Sequence, residues 1–233
     1  VLATSKQEAS NLQAFVSEDQ LRSIPLAITD DVGPAYSEAR EALEWPDDER
    51  VLLYLSRVHP KKGLHMLLEA LVDLPSSAKE KKRLVIVGPG PDDYAEQLKS
   101  YAQQHRDRLP QVDWEGPVWG NEKWTYLQGA DLMCLPTHSE NFGLVVLEAL
   151  QVGTPVLTTD TTPWDFLQEW AAGLIVAPDV EEIGEALRSF NERFMWTDSK
   201  RHQLARRARK RFSMSKVGSK YAEVYGDVSK FSR

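Results

Sequence analysis

The run Asp131-Leu132-Met133-Cys134-Leu135-Pro136-Thr137-His138-Ser139-Glu140-Asn141-Phe142-Gly143-Leu144-Val145-Val146-Leu147-Glu148-Ala149-Leu150-Gln151-Val152-Gly153 decides the fold. Its apolar opening, Asp131 to Leu135, predicts a buried parallel strand. A short polar loop follows, and the breaker-free stretch from Leu144 to Val152, ended by Gly153, predicts a helix. A strand, a loop and a helix N-terminus in that order form a place for anions, because the first helical amides lack partners and the dipole is positive there. The helix is apolar on nearly every face, so it is expected to be buried, with Glu148 its only charge. A carboxylate there is costly unless hydrogen bonds are donated to it, and its side chain leans back toward the helix start. Glu140 and Glu148 therefore flank an anion-binding site.

Outward from this stretch the pattern is regular. Val51 to Leu55, Leu84 to Val87, Val112 to Trp114, Pro155 to Thr158 and Leu174 to Val176 read as further strands. Between them, Leu64, Leu67, Leu68 and Leu71 share one helical face, and helices are expected over Asp93 to His105, Glu122 to Gln128 and Trp164 to Trp170. Strands alternating with helices through short connections imply right-handed crossovers, hence an α/β fold with a doubly wound, Rossmann-like parallel sheet. From Val180 everything reads as helix: amphipathic Val180 to Phe194, a basic run over residues 200–211, and Val217 to Val228. Ahead of the sheet, Val1 to Ser5 reads as a short strand ending in a helix cap. Ser5 and Glu8 have capping-box spacing, and a helix is expected to run on to Val16. Ile24-Pro25-Leu26-Ala27 and the turn Asp30-Asp31-Val32-Gly33-Pro34 read as a linker. The expected division is 1–35, 36–195 and 196–233, with C-terminal helices in the last part.

The 233 residues suffice for one good-sized domain with attachments, and 42% hydrophobic with 27% charged residues is ordinary globular composition. A net charge of −7 argues against nucleic acid as a partner of the domain as a whole. Cys134 falls inside the central strand, a core position, and a lone cysteine gives no disulfide framework; a reducing, cytoplasmic setting is expected. No apolar run approaches transmembrane length and no signal peptide is evident. The basic run at 200–211 reads as a solvated helix face. Attraction to anionic lipid, and so peripheral contact with the inner face of a membrane, is the alternative.

A second strand-to-helix loop, Ser56-Arg57-Val58-His59-Pro60-Lys61-Lys62-Gly63, places Lys61 and Lys62 where a helix dipole opposes a cation. By itself the loop fits a solvated basic turn as well as an anion site. Beside the Glu140 loop, a pyrophosphate between Arg57 and Lys62 is favoured, Arg giving a forked contact and Lys a point charge. Gly88-Pro89-Gly90-Pro91 lacks the third glycine of a dinucleotide fingerprint, and its prolines remove amides. It reads as a tight turn in which ligand or chain comes close to glycine. His59 and His138 lack partners at triad or metal spacing, Asp30-Asp31 and Asp92-Asp93 are turn residues, and Trp164 and Trp170 read as packing residues. With no Asp-x-Asp at a strand end, no chelated metal or other cofactor is expected.

These segments together resemble the family-4 retaining glycosyltransferases. Glu140 and Glu148, with seven residues between them, are similar to that family's E-x7-E motif, and Arg57…Lys62-Gly63 to its Arg-x4-Lys-Gly segment. Val87-Gly88-Pro89-Gly90, Glu115-Gly116-Pro117-Val118 and Gly153-Thr154-Pro155-Val156 resemble further signatures in the same order, and Thr162-Pro163-Trp164 a branch that includes lipopolysaccharide and exopolysaccharide transferases. The resemblance spans residues 1–228. It implies two facing Rossmann-like domains (GT-B), of which this chain holds the C-terminal, donor-binding one. Arg57 and Lys62 would neutralise the diphosphate of a UDP- or GDP-sugar, and Glu148 would accept from the ribose. Glu140 would contact the transferred sugar, with the amides of Phe142, Gly143 and Leu144 on sugar hydroxyls and phosphate. Asn141 and Gly88 would line the donor, and the base would lie near Gly116 to Val118. Leaving-group stabilisation by cations would replace a metal. The acceptor would be a glycan or a lipid-linked acceptor. Ala3-Thr4-Ser5…Glu8 resembles the end of the N-terminal domain, which implies that most of the acceptor-binding half is missing. Ile24-Pro25-Leu26-Ala27 departs from the usual Ile-Pro-Asn-Gly linker. Two other functions compete: a non-catalytic nucleotide-sugar-binding fragment that needs a separate acceptor half, and a nucleotide-sugar 2-epimerase, which the glutamate spacing fits less well.

Overall fold

The computed structural model describes residues 1–29, 33, 35–193 and 196–231, with side chains described as far as 190 and from 196 to 226. Its elements run β1 (Leu2–Ala3), α1 (Lys6–Leu12), β2 (Arg22–Ser23), α2 (Tyr36–Ala42), β3 (Arg50–Leu55), α3 (Leu64–Asp73), α4 (Ser76–Lys79), β4 (Lys82–Val87), α5 (Asp92–Gln104), β5 (Gln111–Gly116), α6 (Glu122–Gly129), β6 (Leu132–Leu135), α7 (Leu144–Gln151), β7 (Val156–Thr159), β8 (Gly173–Val176), α8 (Val180–Arg193), α9 (Asp198–Phe212) and α10 (Met214–Phe231). β3 to β8 form one parallel sheet in the order β5-β4-β3-β6-β7-β8, the doubly wound arrangement the sequence predicts.

Alternation along β3 sorts its side chains between two cores. Val51, Leu53 and Leu55 join Leu147, Leu150, Leu204 and Phe212 on the α7 and α9 side. Leu52 and Tyr54 join Leu67, Leu71, Leu98 and Leu187 on the α3, α5 and α8 side. Both faces are covered, which is why these strands read as unbroken apolar runs.

At the amino edge of the sheet a buried charge cluster ties four elements together. The Asp131 carboxylate accepts from Arg40 (3.0 Å), Arg50 (3.0 Å), the Val51 amide (2.9 Å) and the Tyr36 hydroxyl (3.2 Å), and Arg201 of α9 lies 3.9 Å from it. Arg201 donates onward to the Ala130 carbonyl at 2.8 Å. A buried carboxylate is tolerable on these terms, because donors surround it.

Several expectations need correction. Trp164 to Trp170 does not form a helix; a single 3-10 turn, Asp165–Leu167, stands there. Packing decides it: Trp164 and Phe166 both close on Phe212, at 6.0 and 6.1 Å between ring centroids, and Ala171 at φ 49° ends the segment. α7 is not buried all round, since Leu144 at its first turn is 42% exposed at the rim of the sheet. Lys61 and Lys62 lie in a separate 3-10 turn, Pro60–Lys62, and not in the first turn of α3. α1 stops at Leu12, short of Val16. Ser5 caps it by accepting from the Glu8 amide at 3.1 Å, but the Glu8 carboxylate accepts from Thr4 (amide 2.6 Å, hydroxyl 2.7 Å), one residue earlier than a capping box requires. Neither α2 nor α4 has an apolar period in the sequence that marks it. The expected turn at 30–34 falls outside the described residues except for Gly33, as does Phe194 at the end of the expected α8.

Candidate active site

The two loops that carry the charged motifs leave neighbouring strands. Residues 56–63 follow β3 and residues 136–143 follow β6, so both open at the carboxyl edge where the strand order reverses. In open α/β sheets that crevice is where ligands bind. Gly63 allows the loops to meet. It has φ +74°, and a Cβ on it would stand 1.8 Å from the Pro136 carbonyl oxygen. The Lys61 carbonyl then accepts from the His138 amide (2.8 Å) and the Thr137 hydroxyl (3.0 Å).

The other loops of this edge are stitched in the same way. Gly88, at φ +144°, passes so close to Ser56 that a Cβ would meet its carbonyl oxygen at 1.9 Å; the chain itself makes a close approach here. Its amide donates to Gly116 at 2.8 Å, and the Val58 amide to Pro89 at 2.7 Å. On the other side the hydroxyls of Thr159 and Thr161 donate to the Thr137 carbonyl at 2.5 and 2.9 Å. The Phe142 carbonyl accepts from the Trp164 indole at 2.5 Å, and the two rings meet edge-on at 5.1 Å. Trp164 is thus a core residue, as expected, that also pins the loop. Gly143, at φ +74°, starts α7 with no side-chain cap, which leaves the first amides of the helix facing the crevice.

Two ion pairs line the crevice. Lys62 pairs with Glu140, their side chains 12% and 18% exposed. Glu148 pairs with Lys123 of α6 at 2.6 Å, and the ammonium lies 4.7 Å from the centroid of the Trp124 ring. The expected solitary acid therefore has a partner. Lys123 carries no motif of its own; the signal that points to it is that an acid on an apolar helix requires a donor from a neighbouring element. Arg57 is exposed at the rim and takes no part in these pairs; its carbonyl accepts from the Tyr54 hydroxyl at 2.8 Å. Asn141 is exposed and donates to Glu8 of α1 at 3.4 Å, which brings the N-terminal segment to the edge of the loop. Val118 is half-buried against the core around Trp124 and Tyr126. Beside it the Tyr126 hydroxyl donates to Glu115 at 3.3 Å, and burial with that carboxylate near pushes its phenol up to about 12. His138 stacks on His65 at 5.7 Å; burial holds His65 below its ordinary value, and its Nδ1 lies 3.1 Å from the Tyr94 hydroxyl. Lys62 and Glu140 thus meet between the two loops, Asn141, Gly143 and Leu144 lie along the second of them, and Phe142 turns its ring into the core, with Gly88 in the adjoining loop and Glu148 and Val118 on the α6 side.

A family model described as "Glycosyl transferases group 1" matches residues 36–211, three quarters of the chain. The chain belongs to the group 1 glycosyl transferases. TuaC of Bacillus subtilis, named for teichuronic acid biosynthesis, is 29% identical over 236 residues that cover 100% of this chain and 57% of that protein. A D-inositol 3-phosphate glycosyltransferase of Xylanimonas cellulosilytica is 27% identical over 256 residues, covering 99% and 57%. Among solved structures, sucrose-phosphate synthase from Thermosynechococcus elongatus superposes with a TM-score of 0.83 at 25% identity, covering 99% of this chain and 58% of that one. HepE of Anabaena in complex with UDP has the same fold, with a TM-score of 0.83 at 20% identity, covering 97% and 63%. The chain spans a little over half the length of these relatives. In this group 1 glycosyl transferase the two glutamates fall on the loop and the helix of the switch point, and the lysine–glycine segment on the loop opposite.

Proposed function

We propose that this chain is the donor-binding half of a retaining glycosyltransferase. It would take a UDP- or GDP-sugar and pass the sugar to a glycan or lipid-linked acceptor in the synthesis of a cell-surface polysaccharide or lipopolysaccharide. The observation that carries this reading is the meeting of Lys62 with Glu140 across the switch-point loops, at the uncapped start of α7. In glycosyl transfer the departing nucleoside diphosphate gathers negative charge, and cations and helix amides aimed at it lower the barrier. Lys62 is held in that position by Glu140 until a diphosphate takes its place beside the ammonium. Arg57, exposed at the rim, supplies a second cation. Glu140, released from Lys62, faces the transferred sugar, with the amides of Phe142, Gly143 and Leu144 alongside. Glu148, with Lys123 beside it, accepts from the ribose. Three names among the relatives accord with this reading: HepE has been solved with UDP-glucose, TuaC is named for teichuronic acid biosynthesis, and WaaG, of like fold, for lipopolysaccharide biosynthesis.

The test is thermal unfolding of the 233-residue chain with UDP- and GDP-sugars. A stabilising shift is expected with one of them, abolished by Glu148→Ala and by Lys62→Ala. No shift with any nucleotide sugar would refute the reading. Retention is tested separately: once an acceptor is turned over, an NMR spectrum that finds the product anomer opposite to that of the donor excludes it.

A further inference from the structure

Charge is divided unequally along this chain. Residues 198–220 carry nine of its 28 Lys and Arg but one of its 35 Asp and Glu, a net +8 that leaves −15 on the remainder. Two of the nine are structural: Arg201 belongs to the Asp131 cluster, and Arg209 donates to the Gln151 carbonyl at 3.0 Å. Arg207 and Arg211 lie over the Trp170 ring, 4.4 and 5.4 Å from its centroid, and both remain exposed. Lys200, Arg206, Lys210, Lys216 and Lys220 are exposed as well. At the helical turn of about 100° per residue, the exposed cations of α9 fall within an arc of roughly 140°. The opposite face, with Leu204, Ala205, Ala208 and Phe212, is buried. Met214, the first residue of α10, is 58% exposed and lies in the chain between Arg211 and Lys216.

We propose that the corner formed by α9 and α10 is a foot by which this protein sits on a bilayer surface rich in anionic phospholipid. The cations of the arc are all exposed on one side of α9, which suits a plane of phosphate headgroups. Attraction of this kind dies away within a Debye length, about 8 Å at physiological salt. Glu169 pairs with Arg207 at 3.2 Å and offsets that one cation, while acidic groups farther off than this length do not cancel the others. Met214 distinguishes lipid from nucleic acid. An apolar tip among cations gains by entering the headgroup boundary, whereas a nucleic acid backbone offers it nothing. The rings that might stack on bases, Phe166, Trp170 and Phe212, lie beneath Arg211. No helix among the described residues is long and apolar enough to cross the bilayer.

Co-sedimentation of the 233-residue chain with vesicles tests this. Binding is expected with vesicles of phosphatidylcholine mixed with phosphatidylglycerol, not with phosphatidylcholine alone, and it is lost as salt is raised. Each cation near such a surface contributes roughly fivefold to partition, so the combined variant Lys200→Gln, Arg206→Gln, Lys210→Gln, Lys216→Gln loses more than about a hundredfold. Its thermal unfolding is expected to match that of the parent. Met214→Ser weakens vesicle binding but leaves retention on heparin unchanged. Equal binding to both vesicle types, or binding that persists in the combined variant, overturns the proposal. So does short duplex DNA bound as tightly as the anionic vesicles, with Met214→Ser neutral on both. The salt dependence of the parent chain decides the matter even where the combined variant fails to fold.

Discussion

Gly63→Ala is the sharpest probe of how the crevice is built. Two costs are separable in the structure. The first is conformational: Gly63 sits at φ +74°, where an L-residue costs about 1–2 kcal/mol. The second is steric: the new methyl would lie 1.8 Å from the Pro136 oxygen and 2.7 Å from the Met66 methyl, so the loops after β3 and β6 must separate. Separation breaks both hydrogen bonds to the Lys61 carbonyl, each contributing about 1 kcal/mol. The expected total is about 3–4 kcal/mol, which in a domain of this size lowers Tm by on the order of 10 °C. Gly120→Ala provides the control. Gly120 has φ +60° but nothing within 4 Å of a Cβ, so it isolates the conformational cost. Urea unfolding of both variants with unchanged m-values gives the difference directly. If Gly63→Ala is no more destabilising than Gly120→Ala, the loops are not locked as described.

Three further outcomes follow from the same geometry. Asp131→Ala strips the acid from Arg40 and Arg201, whose side chains are 1% and 5% exposed, and is expected to destabilise by about 3–5 kcal/mol in urea unfolding. Trp164→Phe keeps the ring packing but leaves the Phe142 carbonyl without its indole donor; a loss of about 1–3 kcal/mol is expected, read as a lower Tm. Stability is also expected to fall as pH drops below neutrality. His65 is held below its ordinary value, so as pH falls the unfolded chain takes up that proton first. Stability therefore declines through the window just below pH ~6.5 and levels off once the folded protein is protonated as well. In His65→Phe the slope of unfolding free energy against pH over that window should flatten.

Much of this was legible in the sequence because it depends on patterns that repeat locally. Val51 to Leu55, Leu84 to Val87 and Leu132 to Leu135 are unbroken apolar runs because both faces of the sheet are covered, and α7 is bounded by glycines. What stayed hidden depends on partners far along the chain. α2 has no apolar stripe; its anchor is Arg40, which looks like a surface residue until Asp131, 91 positions later, buries it. Lys123 meets Glu148 across 25 positions and repeats with no period. The segment from Trp164 to Trp170 has helical spacing, but its rings were claimed by Phe142 and Phe212. The charged motifs fall on the two loops of the switch point, where Lys62 meets Glu140. How closely its walls approach rests on Gly63, whose role becomes visible once Pro136 is placed against it.

The Asp131 cluster also bears on how the chain comes into being. Its members at positions 36, 40, 50, 131 and 201 must converge on one carboxylate, across separations of 81 to 95 residues on the near side alone. Such distant closures are slow to form. During synthesis the nascent chain presents Asp131 to Arg40 and Arg50 long before Arg201 has left the ribosome, and α7 emerges with no α9 to cover it. Until then an apolar flank stays open to aggregation, so the final helices govern the yield of folded protein in the cell.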